Sequence, residues 1–300
     1  MLADATAKAV GDARVSVRYD DSLFTGPRLA PGWSSGLLAT GEIAPVTALS
    51  VDKGRTSPGG LEVVDDPSLR AAEEFAAALE RRGLTVTGAP RRGTAPAGAT
   101  EVAGADSPPV AVLVEQTLTA SDDDMAEALA HLAGGRLGGS ASFAGGAAAT
   151  AKVLTSLGVT TTGMTLSDGS GLSRRDRVLP LTLAGALAAV ATGRAPEGLP
   201  SAAPSGGGVV TWPVSPGLPV AGFTGTLADR FDASSVASAR GLVRAKTGTL
   251  TGVQALAGLV RDKDGRLLTF AFLASDVPVK QEAQAALDKA AAVVAGCGCR

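Results

Sequence analysis

The sequence has few residues that suit metal or redox chemistry: one histidine, two cysteines and 3% aromatic residues among 300. A single histidine, His131, excludes a metal site built from several histidines. Its helical neighbourhood predicts a position on a helix surface rather than a role as catalytic base. Cys297 and Cys299 stand at the extreme C-terminus. Free thiols or a strained local disulfide are therefore expected there, rather than a redox or metal site.

The sequence also lacks a charge excess and any long apolar run. It has 27 Lys and Arg against 29 Asp and Glu, so its net charge is -2, and the charges are scattered. On composition we therefore expect neither nucleic acid nor a membrane surface as a partner. No run reaches the roughly 20 apolar residues that span a bilayer. Residues 1–4 lack the features of a secretory signal, so we expect no export signal in the sequence as it stands.

What the sequence does contain is 45% hydrophobic residues, enough for a sizeable core. Residues 12–64 predict short strands and loops. A helix is expected from Ser68 to Arg82, between Pro67 and Gly83, and a strand follows. Residues 89–105 are typical of a linker or long loop. These features predict one unit over residues 1–105 and a second over 106–300.

The second unit opens with helical patterns at 110–119, 121–132 and 146–157. Near its end, apolar runs at 252–260 and 266–273 flank an Asp-Gly turn, which predicts a buried antiparallel hairpin. An amphipathic helix is expected from 282 to 295. The predicted fold class is mixed α/β (α+β), an antiparallel sheet with flanking helices plus a smaller domain.

A Lys-Thr-Gly tripeptide, Lys246–Gly248, directly precedes this hairpin and is followed by Thr249. On a strand beside a cleft, an ammonium group attracts a substrate carboxylate and a threonine hydroxyl binds it. A glycine lets the substrate lie against the strand. The position before a hairpin and a terminal helix favours a functional site over chance occurrence.

A second candidate is the segment Ser121–Asp124, which begins a predicted helix. Its structural alternative is a helix cap, with Ser121 as N-cap and Asp124 at the third helical position. A third candidate, Gly169–Gly171, lacks the Gly-x-Ser-x-Gly spacing of a nucleophile elbow, so an α/β-hydrolase site is excluded.

Taken in order, six segments resemble the class C low-molecular-mass penicillin-binding proteins, which are D-alanyl-D-alanine carboxypeptidases and endopeptidases. The segments are Tyr19–Phe24, Ala44–Ser50, Ser121–Asp123, Asp168–Arg174, Gly222–Leu227 and Lys246–Gly248. The Ala- and Arg-rich composition is similar to that of actinobacterial members. The resemblance implies a transpeptidase-like (β-lactamase-like) domain carrying Ser-x-x-Lys, Ser-x-Asn and Lys-Thr-Gly motifs. An accessory domain is inserted between the first two motifs.

Carried over by this resemblance, Ser121 would relay a proton to the leaving D-alanine and Lys246 would set the local field. Thr247 would hold the substrate carboxylate beside Gly248, and the backbone N–H of Thr249 would supply half of an oxyanion hole. The resemblance implies no metal or organic cofactor. Asp123 stands where the family has asparagine. A carboxylate only accepts hydrogen bonds and would repel a substrate carboxylate unless its charge is neutralised.

The sequence contains one Ser-x-x-Lys, at Ser50–Lys53, but we reject Ser50 as the nucleophile. The family's serine begins a long helix that places serine and lysine one turn apart, whereas Gly54 and Pro58 interrupt any helix here. Ser50 also falls within the segment that resembles the accessory domain. We expect the true nucleophile and its lysine upstream of Met1, which would leave the transpeptidase-like domain incomplete at its N-terminus.

Two functions remain open on this basis. The first is a serine-type peptidase acting on peptidoglycan peptides that end in D-Ala-D-Ala, outside the cytoplasm, with β-lactams bound by the complete enzyme. This chain alone would be inactive. The second is a non-catalytic protein that binds the cell wall, favoured by Asp123 and the rejected Ser50 but not by the intact Lys246–Gly248. An unrelated α/β binding protein would require the ordered segments to be coincidental.

Overall fold

The structure is a computed structural model that describes residues 1–194 and 214–298. Its helices are α1 (Leu2–Val10), α2 (Ser35–Ala39), α3 (Pro67–Glu80), α4 (Val110–Ala120), α5 (Asp123–Ala133), α6 (Phe143–Ser156), α7 (Pro180–Ala191), α8 (Val214–Gly217) and α9 (Lys280–Ala295). Its strands are β1 (Arg14–Val15), β2 (Arg18–Tyr19), β3 (Thr85–Val86), β4 (Arg91–Arg92), β5 (Val243–Leu250), β6 (Val253–Arg261) and β7 (Leu267–Ser275).

The chain divides into two compact units. The first comprises Met1–Pro108, Ala126–Gly146 and Ser167–Arg174, and the second comprises Pro109–Met125, Ala147–Leu166 and Arg175–Arg300. α5 and α6 therefore each contribute to both units. The assignment of 1–105 to an inserted accessory domain and 106–300 to the transpeptidase-like domain stays a prediction.

The first unit has a small core in which α1 packs on α3. Buried Ala3 of α1 meets Leu79 of α3 and Leu84 just after that helix. α3 begins where predicted, because the Asp66 carboxylate accepts a hydrogen bond from the Leu69 N–H at 3.1 Å. The neighbouring strands are only two residues long, and they pair in parallel as β1 with β3 and β2 with β4.

His131 of α5 is buried in this unit, so its predicted position on a helix surface is wrong. Its side chain is 1% exposed and packs between the rings of Phe24 and Phe143, with centroid distances of 4.9 and 4.6 Å. Nδ1 lies 2.9 Å from the carbonyl oxygen of Glu127. Burial lowers the pKa of His131. The burial of His131 was not predicted because the aromatic residues that cover it come from distant segments of the chain.

The second unit is built on a three-stranded antiparallel sheet in the order β5-β6-β7. The predicted hairpin is confirmed as β6 and β7, and the predicted terminal helix is confirmed as α9. One face of the sheet, represented by Val243, Leu256 and Phe270, packs against α9 through Leu287 and Ala291. Apolar residues at alternate positions of each strand produce this buried face.

One glycine lets β5 and β6 approach each other closely. Gly258 lies opposite Ala245, and a Cβ added at Gly258 would overlap the carbonyl oxygen of Arg244 and come within 2.6 Å of Ala245 Cβ. No larger residue fits there without moving β5, the strand that carries the Lys-Thr-Gly segment.

The mixture of helices with an antiparallel sheet confirms the predicted fold class. No helix in the described parts of the chain combines the length and apolar character needed to cross a membrane.

Cys297 is disulfide-bonded, so the free-thiol alternative is wrong for this residue. Cys299 lies outside the described residues.

Candidate active site

Ser121 lies at the junction between α4 and α5. Its backbone, at φ 57° and ψ 53°, adopts the left-handed conformation, which costs a non-glycine residue roughly 1–2 kcal/mol. α5 is capped by the next residue, because the Asp122 carboxylate accepts a hydrogen bond from the Met125 N–H at 3.1 Å. The alternative in which Ser121 caps this helix, with Asp124 at the third position, is therefore wrong. The Ser121 hydroxyl takes part in a different contact.

That contact is with Lys246 on β5. The Lys246 ammonium donates a 2.6 Å hydrogen bond to Ser121 Oγ and a 2.9 Å hydrogen bond to the carbonyl oxygen of Thr247. The two side chains lie 125 positions apart in the sequence. The expectation that their tips come within hydrogen-bonding distance is confirmed, whereas their individual roles in catalysis remain predictions.

The outer edge of β5 is paired only along its first half. The backbone groups of Val243 and Ala245 face segment 219–221, with hydrogen bonds of 3.0 and 2.9 Å. Backbone groups alternate along a strand, so those of Thr247 and Thr249 face the same edge. In the described parts of the chain, no backbone pairing continues along this edge beyond Ala245. An extended peptide can therefore pair with β5 beside Lys246.

A second hydroxyl group meets Thr247 from the 3-10 turn Gly225–Leu227. Thr226 Oγ1 lies 2.9 Å from Thr247 Oγ1, and either hydroxyl can be the donor. Sequence reasoning had singled out segment 222–227 but assigned Thr226 no role. Segment 222–227 was singled out only because it is one of the six ordered segments. Nothing in its own residues indicates that Thr226 contacts β5.

Burial and charge act in opposite directions on Lys246. Burial lowers its pKa, because a charged ammonium loses hydration in the partly closed site, and the nearby Asp123 carboxylate raises it by a smaller amount. The net pKa is lowered. Asp123 therefore acts on Lys246 electrostatically. The expected conflict between the Asp123 charge and a substrate carboxylate stays a prediction.

Gly248 and the following Thr249 lie in the second half of β5. Gly248 pairs with Ala255, and a Cβ added at Gly248 would lie 3.1 Å from the Ala255 methyl group, a tight contact. Thr249 Oγ1 donates a 3.2 Å hydrogen bond to Gln254 Oε1 on β6. The side chain of Thr249 is thus held by the sheet while its backbone faces the edge.

Ser50 lies in the first unit and begins no α-helix. The Ser50 side chain is exposed, Val51 is extended, and Asp52 and Lys53 both have left-handed backbones with φ of 49° and 54°. A serine and a lysine three residues apart share a face only in a helix. Segment 50–53 therefore lacks the arrangement of a nucleophile beside its base, and the rejection of Ser50 as nucleophile stays a prediction.

A buried carboxylate, Glu127 on α5, was missed in the sequence. It is 0% exposed and accepts hydrogen bonds from the N–H groups of Gly169 at 3.0 Å and Ser170 at 2.8 Å. Burial, assisted by the neighbouring Asp168, raises the pKa of Glu127 to about 7. Asp168 in turn accepts a 2.7 Å hydrogen bond from the Trp33 indole. Loop 168–173 is thereby fastened to α5, and no local pattern predicts partners so distant in the sequence.

Comparison with known proteins identifies the family of the chain. Residues 59–294 match the model of the D-Ala-D-Ala carboxypeptidase 3 (S13) family. The chain is 37% identical over 301 residues to carboxypeptidase DacB of Mycolicibacterium smegmatis, covering 99% of this chain and 61% of that protein. It is 34% identical to a D-alanyl-D-alanine carboxypeptidase of an Actinomadura species, over 75% of this chain and 38% of that protein. The chain thus spans 61% and 38% of the length of these two relatives.

Solved structures show the same fold at lower sequence identity. Penicillin-binding protein 4 of Haemophilus influenzae superposes with a TM-score of 0.73 at 20% identity, covering 96% of this chain and 76% of the other. The same protein complexed with a β-lactam gives a TM-score of 0.62 at 22% identity, over 76% of this chain and 51% of the other. With the family match over most of the sequence, these likenesses show that the chain belongs to the S13 family of D-Ala-D-Ala carboxypeptidases.

Proposed function

We propose that the protein works as a serine-type D-Ala-D-Ala carboxypeptidase or endopeptidase on peptidoglycan stem peptides, in the cell wall outside the cytoplasm. In this proposal, the 300 residues supply the substrate-binding and proton-transfer groups. The nucleophilic serine and its lysine lie outside them. The observation that carries the proposal is the hydrogen bond between Lys246 and Ser121, beside the open edge of β5 at Thr247 and Thr249.

The open edge of β5 suits a short peptide that ends in a carboxylate. The peptide backbone pairs with the N–H and C=O groups of Thr247 and Thr249, as an added strand does at a sheet edge. The terminal carboxylate lies near the Lys246 ammonium and accepts a hydrogen bond from the Thr247 hydroxyl, which Thr226 orients at 2.9 Å. This arrangement selects peptides with a free C-terminus.

The peptide then reacts in two steps. The upstream serine gives its hydroxyl proton to the upstream lysine and attacks the carbonyl carbon of the bond between the last two D-alanines, while the backbone N–H of Thr249 donates to the developing oxyanion. Ser121 passes a proton from Lys246 to the nitrogen of the departing D-alanine, along the 2.6 Å contact. Water then releases the shortened peptide. Serine acyl transfer of this kind requires no metal or organic cofactor.

β-Lactams are proposed as inhibitors of the complete enzyme on the same grounds. Their carboxylate and reactive amide resemble the end of the D-Ala-D-Ala peptide, and a Haemophilus influenzae relative has been solved with a β-lactam. For penicillin, the pose set by Thr247 would place the leaving ring nitrogen, not the carbonyl carbon, at Ser121.

The alternative is a non-catalytic protein that binds the cell wall. Two observations favour it: Asp123 replaces the family's asparagine, and segment 50–53 lacks the geometry of a nucleophile beside its base. An in-frame Ser-x-x-Lys and a signal peptide in the coding sequence upstream of Met1 would favour the enzyme.

Calorimetric titration with diacetyl-L-lysyl-D-alanyl-D-alanine and its C-terminal amide tests the site directly. We expect the acid to bind at least tenfold more tightly than the amide, because Lys246 and Thr247 recognise the carboxylate. The variants Lys246→Met and Thr247→Val should lose this preference, while Lys8→Met, an exposed lysine on α1, should retain it. Equal affinity for acid and amide in the unaltered protein would contradict the proposal.

A further inference from the structure

The serine and lysine of this site also have the arrangement of a complete nucleophile and base. Ser121 Oγ and Lys246 Nζ are 2.6 Å apart, within the range that proton transfer between a nucleophile and its base requires. Both residues of this hydrogen bond belong to the described part of the chain. The pair therefore differs from Ser50 and Lys53, which share no helical face.

We propose that Ser121 and Lys246 form an acyl-transfer centre of their own, in which Ser121 is the nucleophile and Lys246 its general base, acting on small activated carboxylic esters. This activity goes beyond the proposed peptidase function, in which Ser121 only relays a proton. It does not depend on a serine elsewhere in the protein.

The backbone of Ser121 supports a nucleophilic role. Its left-handed conformation, at φ 57°, is unfavourable for serine and is retained between two regular helices. Such strained backbones cluster at functional sites, and nucleophilic serines of other hydrolases stand on strained turns between two elements. Ser121 is the C-cap of α4, and its N–H donates to the carbonyl oxygen of Thr117. This left-handed position is one that glycine or asparagine usually occupies, and here it carries a serine whose hydroxyl faces Lys246.

The surroundings of Lys246 shift its pKa downwards, towards the neutral form that a base requires. On the same face of the sheet, its partner Ala257 and the adjacent Leu259 are apolar. The charged neighbours are Asp122–Asp124 at the start of α5 and Arg244, two positions earlier on β5, while Gly225–Leu227 carries no charge. Burial lowers the pKa of Lys246 and outweighs the opposing effect of Asp123.

The chemical step balances without a further reactant. Neutral Lys246 Nζ takes the hydroxyl proton as Ser121 Oγ forms a bond to the ester carbonyl carbon. The tetrahedral intermediate expels the alcohol, which receives the proton from Lys246 as the ester C–O bond breaks. Water, deprotonated by Lys246, then attacks the acyl-serine, releases the carboxylic acid and restores Ser121.

Small esters with a good leaving group are the class that fits. Ser121 and Lys246 are both only partly exposed, which limits the size of the acyl group. A leaving group such as p-nitrophenolate needs little protonation, so the reaction requires no more than the nucleophile and its base. The probe for the proposal is therefore p-nitrophenyl acetate.

The test combines steady-state hydrolysis of p-nitrophenyl acetate with acid-quenched peptide mapping of the acetylated protein. We expect the acetyl group on Ser121 and a rate that falls about 100-fold in Ser121→Ala and Lys246→Met, the usual effect of losing a nucleophile or base. Ser121→Gly should also be inactive although glycine relieves the left-handed backbone, so loss of folding does not explain the result.

Two further variants separate a base from a mere positive charge. Lys246→Arg keeps the cation but cannot accept a proton near neutral pH, so it should be as inactive as Lys246→Met. Asp123→Asn removes the carboxylate that raises the pKa of Lys246, so the midpoint of the rate–pH profile should move to lower pH. Ser50→Ala is the matched control and should keep the full rate.

The inference is overturned if the acetyl group maps elsewhere, if Lys246→Arg retains the rate, or if the Asp123→Asn profile does not move to lower pH. The result is distinguishable from a failure of the peptidase proposal. Preference for a peptide acid over its amide depends on Thr247 and is measured without any ester. Loss of that preference with intact esterase activity would contradict only the peptidase proposal.

Discussion

Lys246 Nζ and Ser121 Oγ are joined by a 2.6 Å hydrogen bond between the end of one helix and the middle of a strand. The contact depends on two structural features. The left-handed backbone of Ser121 turns the chain from α4 into α5, and the alternation of β5 places Lys246 on the face opposite Ala245. Because Lys246 lies on β5, a change in the packing of β5 is expected to alter the contact between Lys246 and Ser121.

The first prediction concerns Gly258, which faces β5 from β6. In Gly258→Ala, the new methyl group would overlap the backbone of Arg244 and Ala245, so β5 must move. We expect the free energy of unfolding to fall by about 2 kcal/mol or more, the cost of overpacking a filled core. Urea unfolding measures this change.

A glycine without such contacts provides the control for Gly258. Gly36 on α2 has only Ser34 Oγ at 3.6 Å from an added Cβ, and Gly36→Ala should be neutral or stabilising, since alanine favours helix. If Gly258→Ala and Gly36→Ala have equal stability, the close approach of β5 to β6 is not as described.

The second prediction concerns the pH dependence of stability through Glu127. Its pKa is about 7 in the folded protein against an ordinary value of 4.5, so the folded state binds more protons between these values. Its contribution to stability is full below pH 4.5 and is lost as pH rises through 7. The complete effect is roughly 3 kcal/mol. Glu127→Gln, which does not titrate, should lack this loss.

Urea unfolding of both proteins at pH 5, 6, 7 and 8 measures this difference. His131, whose pKa burial lowers, acts in the opposite direction, but it is present in both proteins. The unfolding free energy of the unaltered protein relative to Glu127→Gln should therefore decline from pH 5 to pH 7 and level off by pH 8. A difference that is constant with pH would show that Glu127 does not titrate as described.

The third prediction is that penicillin forms no stoichiometric covalent adduct with this 300-residue chain. Segment 50–53 lacks the helix that would pair Ser50 with Lys53. In the proposed pose, a carboxylate bound at Thr247 would direct the leaving nitrogen towards Ser121. Intact-protein mass spectrometry after incubation with penicillin measures the adduct. A stoichiometric adduct that maps to Ser50, and disappears in Ser50→Ala, would identify Ser50 as the nucleophile.

The local elements were predictable where the sequence carries their periodicity and their ends. The β6–β7 hairpin was predicted from two apolar runs around an Asp-Gly turn, and α3 from Pro67 and Gly83 at its ends. The fold class followed from such elements. The pairing of Ser121 with Lys246 had no local signal, and it was predicted only from the order of the segments in a known family.

The burial of His131 and of Glu127 could not be predicted for one physical cause, which is that their partners are distant in sequence. His131 is buried because Phe24 and Phe143 cover it, and Glu127 is buried because Gly169 and Ser170 donate to it from another loop. Ser121 has a typical capping sequence, yet Asp122 provides the cap. Local patterns could not distinguish the two, because both residue types cap helices well.

The proposed function depends most on binding of the carboxylate end of a peptide at the edge of β5 beside Ser121 and Lys246. A 15N-HSQC titration with diacetyl-L-lysyl-D-alanyl-D-alanine observes the relevant backbone groups directly. We predict saturable shifts of the Thr247 and Thr249 amide signals, which the C-terminal amide of the same peptide does not reproduce. Shifts confined to residues outside β5, or no shifts at Thr247 and Thr249, would contradict the proposed function.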